Sequence, residues 1–266
     1  MTVGVKRFAT AITRLPCQNV VDGLRAVDQG MPSIDRMLAD HVDYRSVLAS
    51  TGADVINLPA LPAFPDAHFV EDTALCLPEG AIFMSPGAPS RAGEVASMRA
   101  DIAHLFGETH QISPPAHIEG GDILITGTEI LVGTSERTNA DGIAALTQIV
   151  GEWGYHVRTV HTPPGVLHFK TDCSLLDDGV VLATPSLASS GCFSTYEVIL
   201  TCEGEEAAAN AIRFNDLVIM PAGFPATRAR LESAGFNVRP VNNSECAKID
   251  GGMSCLSLRL TRPLTI

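Results

Sequence analysis

The stretch Glu119-Gly-Gly-Asp-Ile-Leu-Ile-Thr-Gly-Thr-Glu-Ile-Leu-Val-Gly-Thr134 decides the fold of this chain. In it, Asp122 is followed by an apolar run, a turn and a second apolar run. The first three copies of this pattern start at acids spaced 50 residues apart. A repeat of this length indicates one supersecondary unit arrayed several times. The other copies follow Asp72, Asp172, Asn210 and Gly252.

Each copy predicts a hairpin, a loop, a helix and a returning strand. The short, nearly continuous apolar runs are typical of strands covered on both faces. The dipeptides Asp178-Gly179 and Asn215-Asp216 stand where two-residue hairpin turns are needed. The predicted helices cover 33–50, 94–106, 142–153, 195–211 (in the shortened third unit) and 226–234.

The two ends of the chain supply complementary parts of one unit. An N-terminal strand over 8–15 and a C-terminal strand over 255–260 complete the same sheet, which closes a ring of five units. We therefore predict a five-bladed pseudosymmetric α/β-propeller of ββαβ units around a central channel, in which residues 1–266 form a single domain.

Charge and cysteine usage restrict the possible partners and the compartment. The net charge of −12 and the pI near 5.0 argue against nucleic acid or a membrane as partner, and an acidic pocket suits a cationic ligand. The N-terminal stretch has no apolar signal core, and no run approaches the length of a membrane span. The seven cysteines show no framework spacing, so we expect reduced thiols in a cytoplasmic protein.

A ring of units brings equivalent strand ends together, and three of these ends carry reactive side chains. Cys255 follows paired glycines, His168 precedes the third copy of the repeat, and Glu119 precedes the second copy at the matching position. A cysteine nucleophile needs a nearby base or a lowered pKa, which His168 could provide. The alternatives are a core thiol, a structural histidine and a glutamate in a tight turn.

Two further groups of charged residues indicate the kind of ligand. Three clustered carboxylates, Asp66, Glu71 and Asp72, repel one another unless a cation lies between them. Arg91 and Arg137 lie in equivalent loops after the hairpins, and arginine binds carboxylates in a bidentate geometry. Solvated loops and surface ion pairs are the alternative interpretations. An arginine-like substrate would satisfy the acids, the arginines and the thiol together.

At these residues the chain resembles the guanidino-group-modifying family, the pentein α/β-propellers, and within it the dimethylarginine dimethylaminohydrolases. The resemblance covers nearly the whole chain, and its specificity comes from the order of the motifs and their placement, one in each unit. The motifs are Arg14-Leu15-Pro16, Phe69-Val70-Glu71-Asp72, Ser90-Arg91, Glu119-Gly120-Gly121-Asp122, Ser135-Glu136-Arg137-Thr138-Asn139, Leu167-His168-Phe169-Lys170 and Gly251-Gly252-Met253-Ser254-Cys255.

The resemblance implies a role for each candidate residue. Cys255 is the nucleophile, His168 the general acid and base, and Glu119 orients His168 or holds a substrate nitrogen. The remaining residues bind substrate: Asp66, Glu71 and Asp72 at its guanidinium and amino groups, Arg91 and Arg137 at its carboxylate, and Leu15 on a flap over the site.

The implied reaction is hydrolysis of methylated arginine to citrulline and an amine, through a covalent thiouronium-type intermediate. The resemblance implies no cofactor and no metal. The implied partner is a small-molecule substrate, and a homodimer is compatible with the fold.

Other functions remain open. An arginine deiminase shares fold and nucleophile, but the chain leaves no room for the inserted helical domain, and Lys170 replaces the second acid two residues after the histidine. An amidinotransferase is usually longer, and a non-catalytic propeller needs none of the three reactive residues. A metallohydrolase using His156, His161, His168 and Cys173 lacks HxxxH or CxxC spacing.

Overall fold

Five three-stranded sheets make up the computed structural model, which describes residues 6–264. The prediction of five ββαβ units is confirmed. The first five and last two residues of the predicted 1–266 domain lie outside the described residues. The strands are β1 (Thr10–Arg14), β2 (Asp54–Leu58), β3 (Ala74–Cys76), β4 (Ala81–Phe83), β5 (Thr109–Gln111), β6 (Ile123–Ile125), β7 (Ile130–Thr134), β8 (Val157–His161), β9 (Cys173–Asp177), β10 (Val180–Ala183), β11 (Glu197–Leu200), β12 (Ile212–Phe214), β13 (Leu217–Pro221), β14 (Val238–Val241) and β15 (Leu258–Leu260).

The helices connect the second and third strands of each unit. None of those within residues 6–264 combines the length and the apolar character that a membrane span requires. They are α1 (Ile34–Ser50), α2 (Glu94–Ile102), α3 (Ala140–Glu152), α4 (Pro185–Ser189) and α5 (Pro225–Ser233), and a short α6 (Ser244–Ala247) precedes the last unit's first strand.

The blade that follows Glu119 shows how each unit is built. Strand β6 pairs with β7 in an antiparallel hairpin, and α3 returns the chain so that β8 pairs with β7 in parallel. Asn139 caps α3 by accepting a hydrogen bond of 2.8 Å from the Gly142 N–H. Ile143 and Leu146 on α3 pack in one core cluster with the strand residues, so the helix covers one face of the blade.

Strands from both ends of the described chain meet in one sheet. Strand β15 pairs with β1 in antiparallel, and β1 pairs with β2 in parallel, so the order is β15-β1-β2. Both predicted hairpin turns are also present, between β9 and β10 and between β12 and β13. Asn215 adopts a φ of 54° in the second turn, a conformation that asparagine tolerates better than most residues.

The residues at the repeat positions lie on or next to short 3₁₀ turns rather than on the strands themselves. These five turns precede the first strand of each blade, and neighbouring turns pack around the axis. The turns cover Val70–Thr73, Gly120–Asp122, Phe169–Thr171, Glu206–Ala209 and Ser254–Leu256.

Side chains next to these turns connect one blade to another. Asp72 Oδ1 accepts a hydrogen bond of 2.9 Å from the Gly121 N–H, and Asp122 Oδ1 accepts one of 2.9 Å from the Phe169 N–H. Asn210 Oδ1 likewise accepts a hydrogen bond of 2.9 Å from the Ser254 N–H. The repeat residues therefore hold the turns in register around the axis.

The predicted helix over 195–211 is wrong. This segment contains β11 and the 3₁₀ turn Glu206–Ala209, and the helix of the blade is α4, which lies ahead of it. Thr184 caps α4 through a hydrogen bond of 3.2 Å from the Leu187 N–H, and Pro185 occupies its first turn. The alanine-rich composition of 206–211 favours a helix locally, but the five-fold arrangement requires a strand and a turn there.

Replacing Asn210 by alanine should loosen the blade that carries Cys255. The change removes the partner of the Ser254 N–H and the amide that donates to the Lys170 carbonyl at 3.0 Å. We expect a loss of roughly 1–3 kcal/mol in the free energy of unfolding, measured by chemical denaturation. The matched control is Asn237→Ala, because Asn237 is exposed; equal stability of the two variants would contradict the linking role.

Candidate active site

A small pocket lies where the five turns meet and brings together most of the predicted site residues. Its volume is about 30 Å³. It contains Asp66, Asp72, Arg91, Glu119, Arg137, His168 and Cys255 from the predicted set, and Leu24, Phe69, Leu167, Ile249 and Asp250 in addition. Leu15 and Glu71 are not among the lining residues.

Glu119 and His168 form a tightly hydrogen-bonded pair in this pocket. Each precedes a 3₁₀ turn, and the Glu119 Oε2–His168 Nε2 distance is 2.6 Å. The other oxygen of Glu119 accepts a hydrogen bond of 2.9 Å from the Gly87 N–H and lies 3.7 Å from Arg137 Nη1. Because Glu119 is completely buried, these partners fix its orientation and that of the imidazole.

The electrostatics of the pocket favour the charged form of His168. Burial opposes the imidazolium, but the carboxylates of Asp72, Glu119 and Asp122 outweigh it and raise the pKa of His168 to about 9. At neutral pH the side chain is therefore protonated and can act as an acid.

Asp72 lies between this histidine and Arg91. Burial alone would raise the pKa of Asp72, but the positive charges of His168 and Arg91 outweigh it and lower the pKa to about 2. Arg91 Nη1 donates to Asp72 Oδ2 at 2.6 Å, and Arg91 also binds Glu94 and the carbonyl of Phe69. Arg91 thus holds Asp72 in place, and much of its guanidinium is already occupied within the protein.

Cys255 is buried in the last 3₁₀ turn. Burial, with the carboxylates of Asp72 and Glu71, raises the pKa of its thiol to about 12. The Gly252 N–H donates to Sγ at 3.4 Å, which opposes this effect only weakly. The resting site therefore pairs a neutral thiol with a protonated histidine.

The glycines next to the candidate catalytic residues are needed because neighbouring side chains lie too close to leave room for a Cβ atom. A Cβ on Gly121 would lie 2.7 Å from the ring of His168 and 3.0 Å from Asp72 Oδ1. A Cβ on Gly252 would lie 2.3 Å from the Asn210 amide group. Both paired-glycine motifs therefore allow neighbouring turns to pack against one another at the axis.

Two carboxylates hold a segment that covers the pocket. Asp66 Oδ1 accepts a hydrogen bond of 3.1 Å from the Leu24 N–H, and Asp250 Oδ2 accepts one of 2.6 Å from the Ala26 N–H. Burial raises the pKa of Asp66, although Arg91 opposes the shift. Asp66 therefore both lines the pocket and holds the segment that covers it.

Glu71 was predicted to bind substrate in this pocket, and the structure places it elsewhere. Its carboxylate binds Lys170 and accepts a hydrogen bond of 2.7 Å from Arg259 Nη2. Burial opposes ionisation, but Lys170 and Arg259 outweigh it and lower the pKa of Glu71. The carboxylate faces a second cavity, because consecutive residues of a 3₁₀ turn point in directions about 120° apart.

Leu15, which was predicted to lie on a flap over the site, does not line the pocket. Leu15 directly follows β1, and its N–H donates to the Leu58 carbonyl at 3.1 Å. Leu24, which is 36% exposed, lies over the pocket instead. Nothing in the local sequence pattern indicated Leu24, whereas Asp250 could have been found, because it begins the Asp-Gly-Gly motif before Cys255.

Three of the site residues could also hold a metal ion. Ligand atoms of Asp72, Glu119 and His168 all lie within 4.8 Å of one another, and all three residues are buried. His168 would have to lose its proton to become a ligand, so its raised pKa opposes metal binding near neutral pH.

Comparison with known proteins places this architecture in a family. A family model described as arginine deiminase matches residues 61–200. The N(G),N(G)-dimethylarginine dimethylaminohydrolase of Pseudomonas aeruginosa is 38% identical over 253 residues, which cover 95% of this chain and 99% of that protein.

Two solved structures give the same result. The P. aeruginosa protein, as a cysteine-to-serine variant complexed with citrulline, matches with a TM-score of 0.93 at 37% identity, over 96% of this chain and 100% of that one. A histidine-to-glycine variant of a dimethylarginine dimethylaminohydrolase, as an adduct with S-methyl-L-thiocitrulline, matches with a TM-score of 0.92 at 37% identity, over 95% and 100%. Fold and site together define a pentein α/β-propeller. The chain belongs to the dimethylarginine dimethylaminohydrolase family.

Replacing Glu119 by glutamine should lower the pKa of His168. We expect an imidazole titration midpoint near 9 in the unmodified protein, measured by NMR, and a lower midpoint in the variant. The midpoint should stay above the ordinary 6.5 because Asp72 remains. Glu136→Gln is the control, since Glu136 is exposed.

The same pair should make stability depend on pH. Because the folded-state pKa of His168 is raised, its contribution is fully present below pH 6.5 and lost as the pH rises through about 9. Unfolding experiments across this range should show a smaller decrease for Glu119→Gln than for Glu136→Gln. A His168 midpoint unaffected by Glu119→Gln would refute the assigned pairing.

Proposed function

We propose that this protein hydrolyses Nω,Nω-dimethyl-L-arginine, and Nω-methyl-L-arginine, to L-citrulline and the corresponding amine. One observation carries the proposal: a buried thiol and a histidine kept protonated by carboxylates share one pocket with the anionic Asp72. This arrangement provides a latent nucleophile, a proton for a leaving amine and a binding partner for a cation.

The relatives support this assignment of chemistry. The P. aeruginosa dimethylarginine dimethylaminohydrolase binds citrulline as a cysteine-to-serine variant. A histidine-to-glycine variant of a dimethylarginine dimethylaminohydrolase forms an adduct with S-methyl-L-thiocitrulline. In those two structures a cysteine and a histidine are the replaced residues, and the ligands are citrulline and S-methyl-L-thiocitrulline. This agrees with the roles that we propose for Cys255 and His168.

Substrate binding requires the cover of the pocket to move. A volume of about 30 Å³ admits only a few water molecules, so the segment with Leu24 must open to admit an amino acid. The guanidinium then lies against Asp72, and Asp66 receives the amino end. Arg137, whose side chain is 20% exposed, is the arginine better placed to bind the α-carboxylate, since Arg91 is buried and bound to Asp72 and Glu94.

The first half of the reaction begins when the bound cation stabilises the Cys255 thiolate, as its proton leaves to solvent. The thiolate attacks the guanidinium carbon and forms a carbon–sulfur bond. The His168 imidazolium donates its proton to the departing amine nitrogen, and the carbon–nitrogen bond breaks. The product of this step is a covalent thiouronium-type intermediate, with neutral imidazole held by Glu119.

The second half of the reaction uses the same residues in opposite roles. Neutral His168 accepts a proton from water as the water oxygen attacks the same carbon. The carbon–sulfur bond then breaks with Cys255 leaving as thiolate, and the proton of the new hydroxyl passes to that thiolate, so that citrulline and the resting thiol form. His168 has served as acid and then as base, which requires the hydrogen bond to Glu119 to hold the ring throughout.

Methylated substrates are favoured over arginine in this proposal. Lys170 occupies the position at which deiminases carry a second acid, and its ammonium binds Glu71 in the second cavity. Residue 170 therefore offers no carboxylate to bind the unsubstituted guanidinium nitrogen of arginine. A methylated nitrogen carries methyl groups in place of N–H groups and needs no such partner.

We further propose that the chain acts as a single propeller domain in the cytoplasm. All seven cysteines are free thiols in the structure, which suits a reducing compartment. The pairing of β15 with β1 supports one closed domain.

Product analysis would test the proposal directly. Purified protein given asymmetric dimethylarginine should release citrulline and dimethylamine, and should release little citrulline from arginine. Cys255→Ser should lose nearly all turnover with unchanged unfolding behaviour, whereas Cys202→Ser should retain it. Ammonia from arginine as the main product would establish a deiminase instead, and activity in Cys255→Ser would exclude the assigned nucleophile.

Replacing His168 by glycine should trap the covalent intermediate. The variant lacks the group that activates water, so the thiouronium adduct should accumulate when the leaving group departs without acid assistance. Mass spectrometry of protein incubated with S-methyl-L-thiocitrulline should show the added mass on Cys255. A protein of unmodified mass under these conditions would count against covalent catalysis.

A further inference from the structure

A second and larger cavity lies on the axis, on the strand side of the five turns. Its volume is about 120 Å³, and residues of β3, β6, β9, β12 and β15 line it. It shares no lining residue with the pocket of Cys255. It is therefore a separate space, large enough for a small organic molecule or several water molecules.

The buried end of this cavity presents several hydrogen-bond donors beside one carboxylate oxygen, Glu71 Oε2, that accepts no hydrogen bond from the residues the structure describes. Lys170 is 8% exposed, and within residues 6–264 its ammonium donates only to Glu71, so further N–H groups remain available. The hydroxyl of Ser174 is 4% exposed and has no hydrogen-bond partner in the described part of the chain. Buried polar groups without partners are rare in folded proteins and point to a ligand or to ordered water.

The charge of the lining is opposite to that of the whole protein. Three cationic side chains, Lys170, Arg213 and Arg259, face a single carboxylate, Glu71. The chain as a whole carries a net charge of −12. A local excess of positive charge in a partly closed space attracts an anion.

The walls of the cavity are apolar, which restricts the anion further. An inorganic ion would leave this surface without a partner, whereas an aliphatic chain would cover it. Arg213, which is half-buried, lines the cavity, while its Nε donates to the Asn215 carbonyl at 2.8 Å and its guanidinium lies over Phe236. The apolar walls come from Leu75, Leu124, Leu175, Ile212 and Leu258.

We propose that this axial cavity is a binding site for a small aliphatic carboxylate. The carboxylate binds the cationic side chains and the Ser174 hydroxyl, and the hydrocarbon part lies along the inner strands. Charge-assisted hydrogen bonds supply most of the selectivity for an acid over an alcohol of the same length. The site goes beyond the proposed hydrolase activity and does not depend on it.

Calorimetric titration of the full chain with hexanoate would test the site. We expect saturable binding of hexanoate to one site and no binding of hexanol. Arg213→Gln should weaken hexanoate affinity about 10-fold, because a charged partner is lost. Arg239→Gln is the matched control, since Arg239 is exposed on β14 of the same sheet, and its replacement should leave affinity unchanged.

A second variant separates loss of binding from loss of folding. Ser174→Val removes a hydroxyl that has no partner, so it should weaken hexanoate binding without lowering stability. Arg137→Gln, in the pocket of Cys255, should leave hexanoate binding intact. Three results would overturn the proposal: no saturable heat with hexanoate, equal binding of hexanol, or loss of binding in Arg137→Gln but not in Arg213→Gln.

Discussion

The structure depends on hydrogen bonds that join neighbouring 3₁₀ turns around the axis. Asp72 accepts from the Gly121 N–H, Asp122 from the Phe169 N–H, and Asn210 from the Ser254 N–H. A buried carboxylate is tolerated only with donors nearby, and here the neighbouring blade supplies them. Each link therefore satisfies a buried acceptor and sets the position of the next turn. Because the candidate catalytic groups lie on or beside these turns, the geometry of the chemistry follows from the geometry of the ring.

The distribution of charge explains why the resting site is unreactive. Carboxylates raise the pKa of His168, and burial together with carboxylates raises the pKa of Cys255, so the imidazole keeps its proton and the thiol keeps its own. The positive charge that would stabilise a thiolate must come with the ligand. Cationic ligands then activate the nucleophile that attacks them, and small neutral electrophiles do not receive this assistance. The acidic character of the pocket thus selects the substrate and controls reactivity.

The sequence predicted the architecture well because its signals are local. The apolar runs and the turn dipeptides are set by neighbouring residues. Because they recur, at a spacing of 50 residues in the first three copies, the ring of similar units follows from their repetition. The reactive set was predicted because equivalent positions meet at an axis. The sequence does not tell which of the adjacent acids Glu71 and Asp72 points into the pocket. Their side chains point in different directions only because the backbone forms a 3₁₀ turn there. Leu24 was missed for another reason: its place over the pocket depends on distant carboxylates, Asp66 and Asp250, which the local pattern does not reveal.

The joining of β15 to β1 has a consequence for the order in which the protein is made. Strand β1 is translated about 250 residues before its antiparallel partner β15. Cys255 precedes that partner by only a few residues, so the turn that holds it cannot dock until β15 has been made. A chain that stops short of β15 lacks a closed ring and a positioned thiol. The reactive site therefore forms after all five blades have been translated.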